Sequence, residues 1–246
     1  MKTVSFYTEK GGSGKTTFNL LFASWLSYCK GVGRRVCIID FDFPAFHLSN
    51  IRSREIMRVE GATEEDPQGM WMRRRLSNHI YEIAQLQSKK PKDADELVRF
   101  IRNAAKENTY DWMVFDFKGS FDEGDIVARL IREGLIDYLY SPISGDIMTM
   151  FAFMRLYNSI RGLNRNQFVR AFFNQVSPRN RDHYLRAREE LIGAGADCSE
   201  VMIPKRDAFE KEGDEKAYRS TLYFPTNLIL RKSPQIIDLF EEITHL

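Results

Sequence analysis

The chain has 246 residues, of which 43% are hydrophobic, and a formal net charge of +2. This length suits one α/β domain over residues 1–246, and no apolar run is long enough to cross a bilayer. The net charge is too small to indicate a polyanionic partner by itself. The three cysteines lack a C-x-x-C spacing and the N-terminus lacks a basic-then-apolar leader, so we expect a reduced, cytoplasmic protein.

The first predicted strand, Thr3–Tyr7, runs into a glycine-rich loop at Lys10–Thr17, and an amphipathic helix follows. A glycine-rich turn between strand and helix presents backbone N–H groups and the positive end of the helix dipole, which together cradle phosphates. In such a loop Lys15 reaches the β- and γ-phosphates and the Thr16 hydroxyl holds Mg²⁺. The loop therefore predicts ATP and Mg²⁺ as ligands, with an ordinary glycine turn as the alternative.

The second predicted strand, Arg35–Phe41, carries Asp40 near its end, and Asp42 follows. Alternation along a strand places the two carboxylates on the same side, at the carboxyl edge of the sheet where open α/β folds bind ligands. Two acids this close repel each other unless a cation or water lies between them, so Mg²⁺ is a natural partner. The alternative is that the two acids cap a turn.

Residues 53–92 form the least regular part of the sequence, with an acidic patch followed by three arginines. We predict a helix over Leu76–Gln87 and interpret the region as an irregular insertion or a mobile segment, not as a second domain. The next helix is predicted to start at Asp93 and to run through Ala105.

The third predicted strand, Trp112–Phe117, is apolar and carries Asp116 near its end. A carboxylate in this position meets Mg²⁺, usually through water, in the Walker B arrangement. An apolar strand that ends in Asp is weak evidence for a Mg²⁺ site by itself. It becomes stronger evidence together with Lys15 and Thr16. The Asp-x-x-Gly spacing that ends at Gly119 would let a backbone N–H sense the γ-phosphate.

The remaining elements continue the alternation of strands and helices, which favours an α/β fold with a mostly parallel sheet covered by helices on both faces. The predicted strands are Tyr138–Pro142, Phe168–Asn174 and Glu200–Ile203, and the predicted helices are Asp125–Arg132, Ile147–Ile160, His183–Ile192 and Pro234–Ile243. The first helix is expected to end at Gly31 or Gly33. The last helix is amphipathic but acidic, so anionic lipid would repel it and we expect it to pack on the sheet.

The glycine-rich loop resembles the deviant Walker A motif of the ParA/MinD family of P-loop ATPases. The strict P-loop pattern needs a glycine at the position of Glu9, whereas the family has a second loop lysine, matched here by Lys10. The resemblance implies an ATPase with the P-loop NTPase architecture of SIMIBI type. A narrower similarity, from Ser5 into the loop, is to the TraA-type ParA-like ATPases of conjugative transposons.

The resemblance also implies roles for single residues. The lysine that matches Lys10 crosses a dimer interface and touches the phosphate bound by the partner, which makes dimerisation depend on ATP. Of the two acids, the one that matches Asp40 lies near the metal, and the one that matches Asp42 orients the attacking water. Family members usually have proline directly after the Walker B acid, and this chain has Phe117.

The base is expected to lie near two further matches. Asn174 ends a strand as the adenine-reading asparagine of the family does, and Ile203-Pro204-Lys205-Arg206 resembles the Ile-Pro-x-Arg that lines the adenine pocket. A turn residue is the alternative for Asn174. The nucleotide contacts expected in all are Lys10, Gly11, Gly12, Ser13, Gly14, Lys15, Thr16, Thr17, Gly119, Asn174, Pro204 and Arg206. Thr16, Asp40 and Asp116 are expected at the metal, and Lys10, Lys15 and Asp42 are expected to serve hydrolysis.

The segment from Arg161 to Arg188 holds seven arginines and one acid, Asp182. In ParA-like relatives, basic residues in this half bind DNA without sequence preference, so the resemblance implies phosphate-directed DNA binding here. A solvated helix face paired with nearby acids is the alternative. We also expect an ATP-bound homodimer, a protein partner that the sequence does not identify, and no membrane attachment.

The leading hypothesis is an ATP-dependent dimerising switch that hydrolyses ATP slowly. Its expected role is partition or positioning of DNA, with conjugative transfer of a mobile element as one setting for that role. Three alternatives stay open: a metabolic ATP-dependent enzyme on the same fold, a non-catalytic protein that retains nucleotide, and a MinD-like membrane-positioning ATPase.

Overall fold

The computed structural model describes residues 1–29, 34–41, 44–76, 80–85, 91–119, 126–205 and 220–246. Within these ranges one sheet contains the strands β1 Lys2–Phe6, β2 Val36–Asp40, β3 Glu82–Gln85, β4 Trp112–Asp116, β5 Tyr138–Ile143, β6 Phe168–Val176 and β7 Asp197–Pro204. The helices of the same ranges are α1 Lys15–Tyr28, α2 His47–Glu60, α3 Pro67–Arg75, α4 Pro91–Lys106, α5 Ile126–Arg132, α6 Ile147–Leu163, α7 Arg181–Gly193, α8 Thr226–Lys232 and α9 Gln235–Thr244.

The strand order across the sheet is β3-β2-β4-β1-β5-β6-β7, and every neighbouring pair is parallel. The predicted parallel sheet is therefore confirmed. β1 lies at its centre, with β4 on one side and β5 on the other. The chain changes its direction of winding between these neighbours, and open α/β sheets bind ligands at such a point, beyond the carboxyl ends of the strands.

Helices cover both faces of the sheet, as predicted. One core contains buried side chains of α4, α5, α6 and α7, and the other contains those of α1, α8 and α9. Phe6, the last residue of β1, lies 5.5 to 6.2 Å between ring centroids from Phe18, Phe22, Phe172 and Phe240. Because Phe18 and Phe22 belong to α1, this aromatic cluster fixes the strand and the helix on either side of the glycine-rich loop.

The last helix packs on the sheet, which confirms the prediction for the C-terminus. Its four buried apolar side chains are Ile236, Leu239, Phe240 and Ile243. No helix in the parts of the chain that the structure describes is long and apolar enough to span a bilayer.

The helix predicted over Leu76–Gln87 is wrong, because Glu82–Gln85 form the edge strand β3. The register pairs Cys37 with Glu82 and Asp40 with Gln85, so β3 extends the ladder on the open side of β2. Backbone pairing has overridden the helix propensity of Glu, Ala and Gln. Of two further helices, α2 lies partly and α3 wholly in the region that was expected to be irregular.

The first helix ends earlier than predicted. The N–H of Cys29 donates to the carbonyl of Trp25 at 3.0 Å and closes the last turn of α1. Gly31 and Gly33, the predicted end points, lie outside the described residues.

Candidate functional site

The loop between β1 and α1 is built on two glycines with left-handed backbone angles. Gly12 has a φ of 73° and Gly14 a φ of 101°, where any residue with a Cβ is strained. Gly14 is also crowded, because a Cβ there would lie 3.1 Å from Nδ2 of Asn174 and 3.2 Å from the Phe18 ring. α1 begins at Lys15, directly after this glycine, so the first N–H groups of the helix border the loop. The predicted strand, turn and helix are present.

Lys15 lies where the glycine-rich loop meets the segment after β4. Its ammonium group donates to the carbonyl oxygen of Lys10 at 3.0 Å. A Cβ at Gly119 would lie 2.8 Å from Nζ of Lys15, so the backbone after β4 passes close to this ammonium group. Lys15 and Gly119 are both expected to contact phosphate, although they come from different segments of the chain. The fold brings these two residues together.

Two buried carboxylates end neighbouring strands beside the loop. Asp40 on β2 and Asp116 on β4 are partners in the strand register, and they are 0% and 2% exposed. Oδ1 of Asp116 accepts a hydrogen bond from Nδ2 of Asn19 at 2.8 Å. Buried carboxylates require donors or a cation to replace their hydration. The pair is thus held at the sheet edge by the fold itself.

Asp40 also has a structural role at the start of α2. Its Oδ2 accepts hydrogen bonds from the N–H groups of Leu48 at 3.1 Å and Ser49 at 3.3 Å. A carboxylate at a helix N-terminus satisfies unpaired donors and interacts favourably with the helix dipole. This geometry matches the capping alternative for Asp40, and its role at the metal stays a prediction. Asp42 lies outside the described residues, so its expected role in hydrolysis stays a prediction too.

The described ranges contain no group of three or more His, Cys, Asp or Glu residues that could hold a metal ion. A P-loop metal site does not need such a group, because a hydroxyl, a carboxylate, waters and phosphate oxygens supply its ligands. Thr16 lies in the first turn of α1 and Asp116 ends β4. Both offer the oxygen ligands that Mg²⁺ prefers, so the donor chemistry of the site fits this ion.

Lys10 is exposed at the mouth of the loop, on the side of α6. Its side chain is 52% exposed, and its Nζ lies 3.4 Å from Oδ2 of Asp146. Asp146 caps α6, since its Oδ1 accepts from the N–H of Thr149 at 3.0 Å. A hydrogen bond from the Ser144 hydroxyl, helped by Thr149 and by the charge of Lys10, holds the pKa of Asp146 below its usual range. Lys10 therefore has an ionised but solvent-exposed partner.

Two amides near the end of β6 contact the carbonyl groups of the loop. Nδ2 of the buried Asn174 donates to the carbonyl oxygen of Ser13 at 2.8 Å. Gln175 follows with a left-handed φ of 60°, and its Nε2 lies 3.5 Å from the carbonyl oxygen of Gly12. These amides, the first half of the loop and the end of β5 line a cavity of about 70 Å³.

The predicted adenine contacts are only partly described. Asn174 lies at the loop, where its amide holds a backbone carbonyl, and its contact with the base stays a prediction. Pro204 ends β7, next to β6, and the N–H of Lys205 donates to the carbonyl of Val176 at 2.9 Å. Arg206 lies outside the described residues.

Three residues that the structure places at the site were not expected from the sequence: Asn19, Asp146 and Gln175. Two of them leave a signal in the sequence: Asn19 interrupts an apolar helix face, and Asp146 precedes an apolar helix as N-cap residues do. Gln175 leaves none, because a left-handed backbone at a residue other than glycine follows from tertiary structure.

The basic segment offers less exposed charge than its sequence suggests. Arg161 donates to the carbonyl of Gln167, Arg170 pairs with Asp197 and Glu242, and Arg188 pairs with Glu200. The other four arginines of the segment are exposed, as Arg161 also is: Arg165, Arg179, Arg181 and Arg186. Arg179, Arg181 and Arg186 lie at the start of α7 or directly before it, whereas Arg165 precedes β6 at the opposite end of that strand.

Comparison with known proteins gives the family of this chain. The model of the CobQ/CobB/MinD/ParA nucleotide binding domain matches residues 4–217, which include the glycine-rich loop, both acid-bearing strands and β6. The chain therefore belongs to the CobQ/CobB/MinD/ParA family of nucleotide-binding proteins, and the ParA/MinD resemblance is confirmed. No curated protein matches the chain in sequence.

Solved structures of the same fold include two bacterial systems. A chain of the MinC:MinD cell division protein complex of Aquifex aeolicus superposes with a TM-score of 0.69 at 14% identity, covering 100% of this chain and 97% of that one. A plasmid partition protein of Borrelia burgdorferi B31 bound to AMPPNP superposes with a TM-score of 0.60 at 16% identity, covering 98% of each chain. At such low identity these similarities establish the fold.

Proposed function

We propose that this chain is an ATPase whose ATP-bound form is a homodimer, which makes it a nucleotide-dependent switch. The observation that carries the proposal is the exposure of Lys10 at the mouth of a loop that already contains Lys15. One lysine suffices for the phosphates of a subunit's own nucleotide. A second lysine at the surface of the same loop is suited to the phosphates bound by another copy.

Within one subunit, the backbone N–H groups of residues 11–17 are proposed to surround the phosphates. Lys15 would exchange the carbonyl of Lys10 for phosphate oxygens, and the N–H of Gly119 would approach the γ-phosphate. Mg²⁺ held by Thr16 and Asp116, with Asp40 nearby, would neutralise the charge that develops during phosphoryl transfer. Asp42 is proposed to orient the attacking water, and Asn174, Pro204 and Arg206 to contact adenine.

The exchange of partners by Lys10 has a favourable energy balance. Its exposed pair with Asp146 belongs to a class that contributes about 0–1 kcal/mol. A hydrogen bond from a lysine to a desolvated phosphate contributes about 1.5–3 kcal/mol. Near-complete switching requires about 5.5 kcal/mol. At mid-range values of about 2 kcal/mol for each phosphate contact and about 0.5 kcal/mol for each lost pair, two symmetric lysine contacts supply about 3 kcal/mol. A further contribution from the dimer contact is therefore needed.

The exposed apolar side chains at the start of α6 are suited to supply this further free energy of dimerisation. Ile147, Met148 and Phe151, here called the α6 patch, are 67%, 72% and 66% exposed, and they directly follow Asp146. Full burial of one such side chain contributes about 1.5–3 kcal/mol. These large apolar side chains lie close together and near Lys10. Their position supports the proposal that a second copy of the chain covers the α6 patch.

DNA is the proposed cargo of the dimer. Arg179, Arg181 and Arg186, the exposed arginines at the start of α7 or directly before it, would contact phosphates without reading sequence. The similarity to a plasmid partition protein supports partition or positioning of DNA, and the similarity of the loop to TraA-type ATPases supports transfer of a mobile element. A protein partner is also proposed, by analogy with the MinC:MinD complex.

Release of phosphate from ATP tests the enzymatic part of the proposal. We expect slow, Mg²⁺-dependent release that Asp42→Ala abolishes, while the affinity for ATP stays within a few-fold of wild type. Asp182→Ala, which removes an exposed acid on α7, is the control and should hydrolyse like wild type. Release by wild type that does not exceed the buffer blank, with or without DNA, would contradict ATPase function.

A further inference from the structure

Asn19 is a fully buried polar side chain on α1, four residues after Lys15. Its neighbours Phe18 and Leu20 belong to the apolar core on this face of the sheet. Asparagine is an unfavourable residue inside a helix, and a buried amide is costly unless it is hydrogen-bonded. We therefore expect the hydrogen bonds of Asn19 to explain why an amide occupies this buried position.

The amide of Asn19 joins three parts of the site. Its Oδ1 accepts from the N–H of Phe6 at 2.9 Å, and its Nδ2 lies 3.3 Å from the carbonyl oxygen of Phe6, to which it donates. The same Nδ2 donates to Oδ1 of Asp116 at 2.8 Å. One planar group therefore connects the end of β1, the first turns of α1 and the carboxylate at the end of β4.

The position of this amide follows from the way β1 and β4 separate. Their register runs from Lys2 opposite Trp112 to Val4 opposite Val114. Beyond that point side chains contribute to the contact: the Ser5 hydroxyl donates to the carbonyl of Phe115 at 2.8 Å, and Asn19 follows one residue further along β1. The amide pairs with the backbone of Phe6 as a neighbouring strand would, and it directs its second N–H to Asp116.

We propose that Asn19 is a positioning residue for the metal site, which fixes the carboxylate of Asp116 relative to Thr16 on the same helix. The inference rests on the proposed function, in which Asp116 and Thr16 hold Mg²⁺. A hydrogen bond to an ionised acceptor is about twice as strong as a neutral one, and ligand atoms must be held within about 0.5 Å for a productive site. Removal of the amide donor loosens the carboxylate that receives the cation, while the phosphate cradle of the loop stays intact.

The affinity for a fluorescent ATP analogue, measured in EDTA and along a Mg²⁺ titration, tests this inference. For Asn19→Ala we expect an affinity in EDTA within about threefold of wild type, and a Mg²⁺ midpoint raised about tenfold. The control is Ser5→Ala, which removes an equally buried hydrogen bond between β1 and β4 that does not reach a carboxylate. It should lower the melting temperature and leave the Mg²⁺ midpoint unchanged.

Asn19→Leu is the second variant, because it keeps the branched shape of the side chain and favours the helix if Asn19→Ala does not fold. A wild-type Mg²⁺ midpoint in the folded Asn19 variants would show that the amide is only structural, and this inference would fall while the proposed function stands. A wild-type protein that binds no nucleotide, or gains no affinity from Mg²⁺, would overturn the proposed function and the inference with it.

Discussion

The two lysines of the loop differ in what surrounds them. Lys15 begins α1, and its ammonium group is folded onto the carbonyl of Lys10 beside Gly119. Lys10 is half-exposed and pairs only at 3.4 Å with Asp146. Replacement of Lys15 and replacement of Lys10 should therefore have different effects on the affinity of the monomer for ATP.

Lys15→Ala is expected to weaken ATP binding about 10- to 150-fold, because a charged hydrogen bond contributes about 1.5–3 kcal/mol. Lys10→Ala should leave the affinity of the monomer for ATP within about threefold of wild type. Equilibrium titration with a fluorescent ATP analogue, at protein concentrations that keep the protein monomeric, measures both. Equal losses in the two variants would show that the lysines share one role.

At the scale of single elements, α6 carries both a capped N-terminus and the α6 patch. Met148→Ser is expected to weaken the ATP-dependent dimer about 5- to 30-fold, because about 1–2 kcal/mol of apolar burial is lost. Met57→Ser is the matched control, since Met57 is 69% exposed on α2, away from the loop. Sedimentation equilibrium with a non-hydrolysable ATP analogue measures the dissociation constants. A similar loss in both variants, or in neither, would remove α6 from the dimer contact.

α7 and the turn before it carry the exposed arginines Arg179 and Arg186. Each phosphate contact contributes about 0.9 to the slope of log affinity against log salt concentration for duplex DNA. The double reversal Arg179→Glu, Arg186→Glu should therefore lower that slope by about 2. Arg99→Glu, at an exposed position of α4, is the control and should keep the wild-type slope. Unchanged DNA affinity of the double variant at every salt concentration would exclude this surface.

Elements that carry a local pattern were predictable from the sequence. The glycine-rich loop follows from the spacing of its glycines and lysines, and β2 and β4 follow from apolar runs that end in Asp40 and Asp116. β3 was not predictable, because its helix-forming residues gain their strand conformation from pairing with β2.

Contacts between distant parts of the chain could not be predicted either. Arg52 on α2 donates to the hydroxyl and the carbonyl of Thr221 and to the carbonyl of Tyr81. Val59 of α2 and Met72 of α3 pack with Leu222 and Tyr223 in a small separate core. The packing of α2 and α3 thus depends on residues that lie about 150 to 170 positions further along the chain. Hydrophobic periodicity indicates local secondary structure and does not indicate such distant contacts.

At the scale of the whole molecule, a half-buried polar cluster ties α9 to three strands. Glu242 accepts hydrogen bonds from Tyr140 on β5, Arg170 on β6 and Ser199 on β7. Burial, with the nearby charge of Glu242, raises the pKa of the Tyr140 hydroxyl, so it stays a donor at neutral pH. The cluster lies where α9 closes the core that also holds α1.

Glu242→Ala is expected to lower the free energy of unfolding by about 2–3 kcal/mol, because three donors lose their acceptor and Arg170 loses one of two charged partners. Glu241→Ala, the exposed neighbour on α9, should change it by less than about 0.5 kcal/mol. Urea titration followed by circular dichroism gives both values. Equal stability of the two variants would mean that packing of the apolar residues alone holds α9.

We propose that ATP joins two copies of this chain through Lys10. The most direct measurement is light scattering coupled to gel filtration, with the wild-type protein and Lys10→Ala each run with and without AMPPNP and Mg²⁺. We expect twice the monomer mass for wild type with nucleotide, and the monomer mass in the three other samples. A wild-type protein that remains monomeric while it binds AMPPNP, or a Lys10→Ala variant that dimerises like wild type, would contradict it.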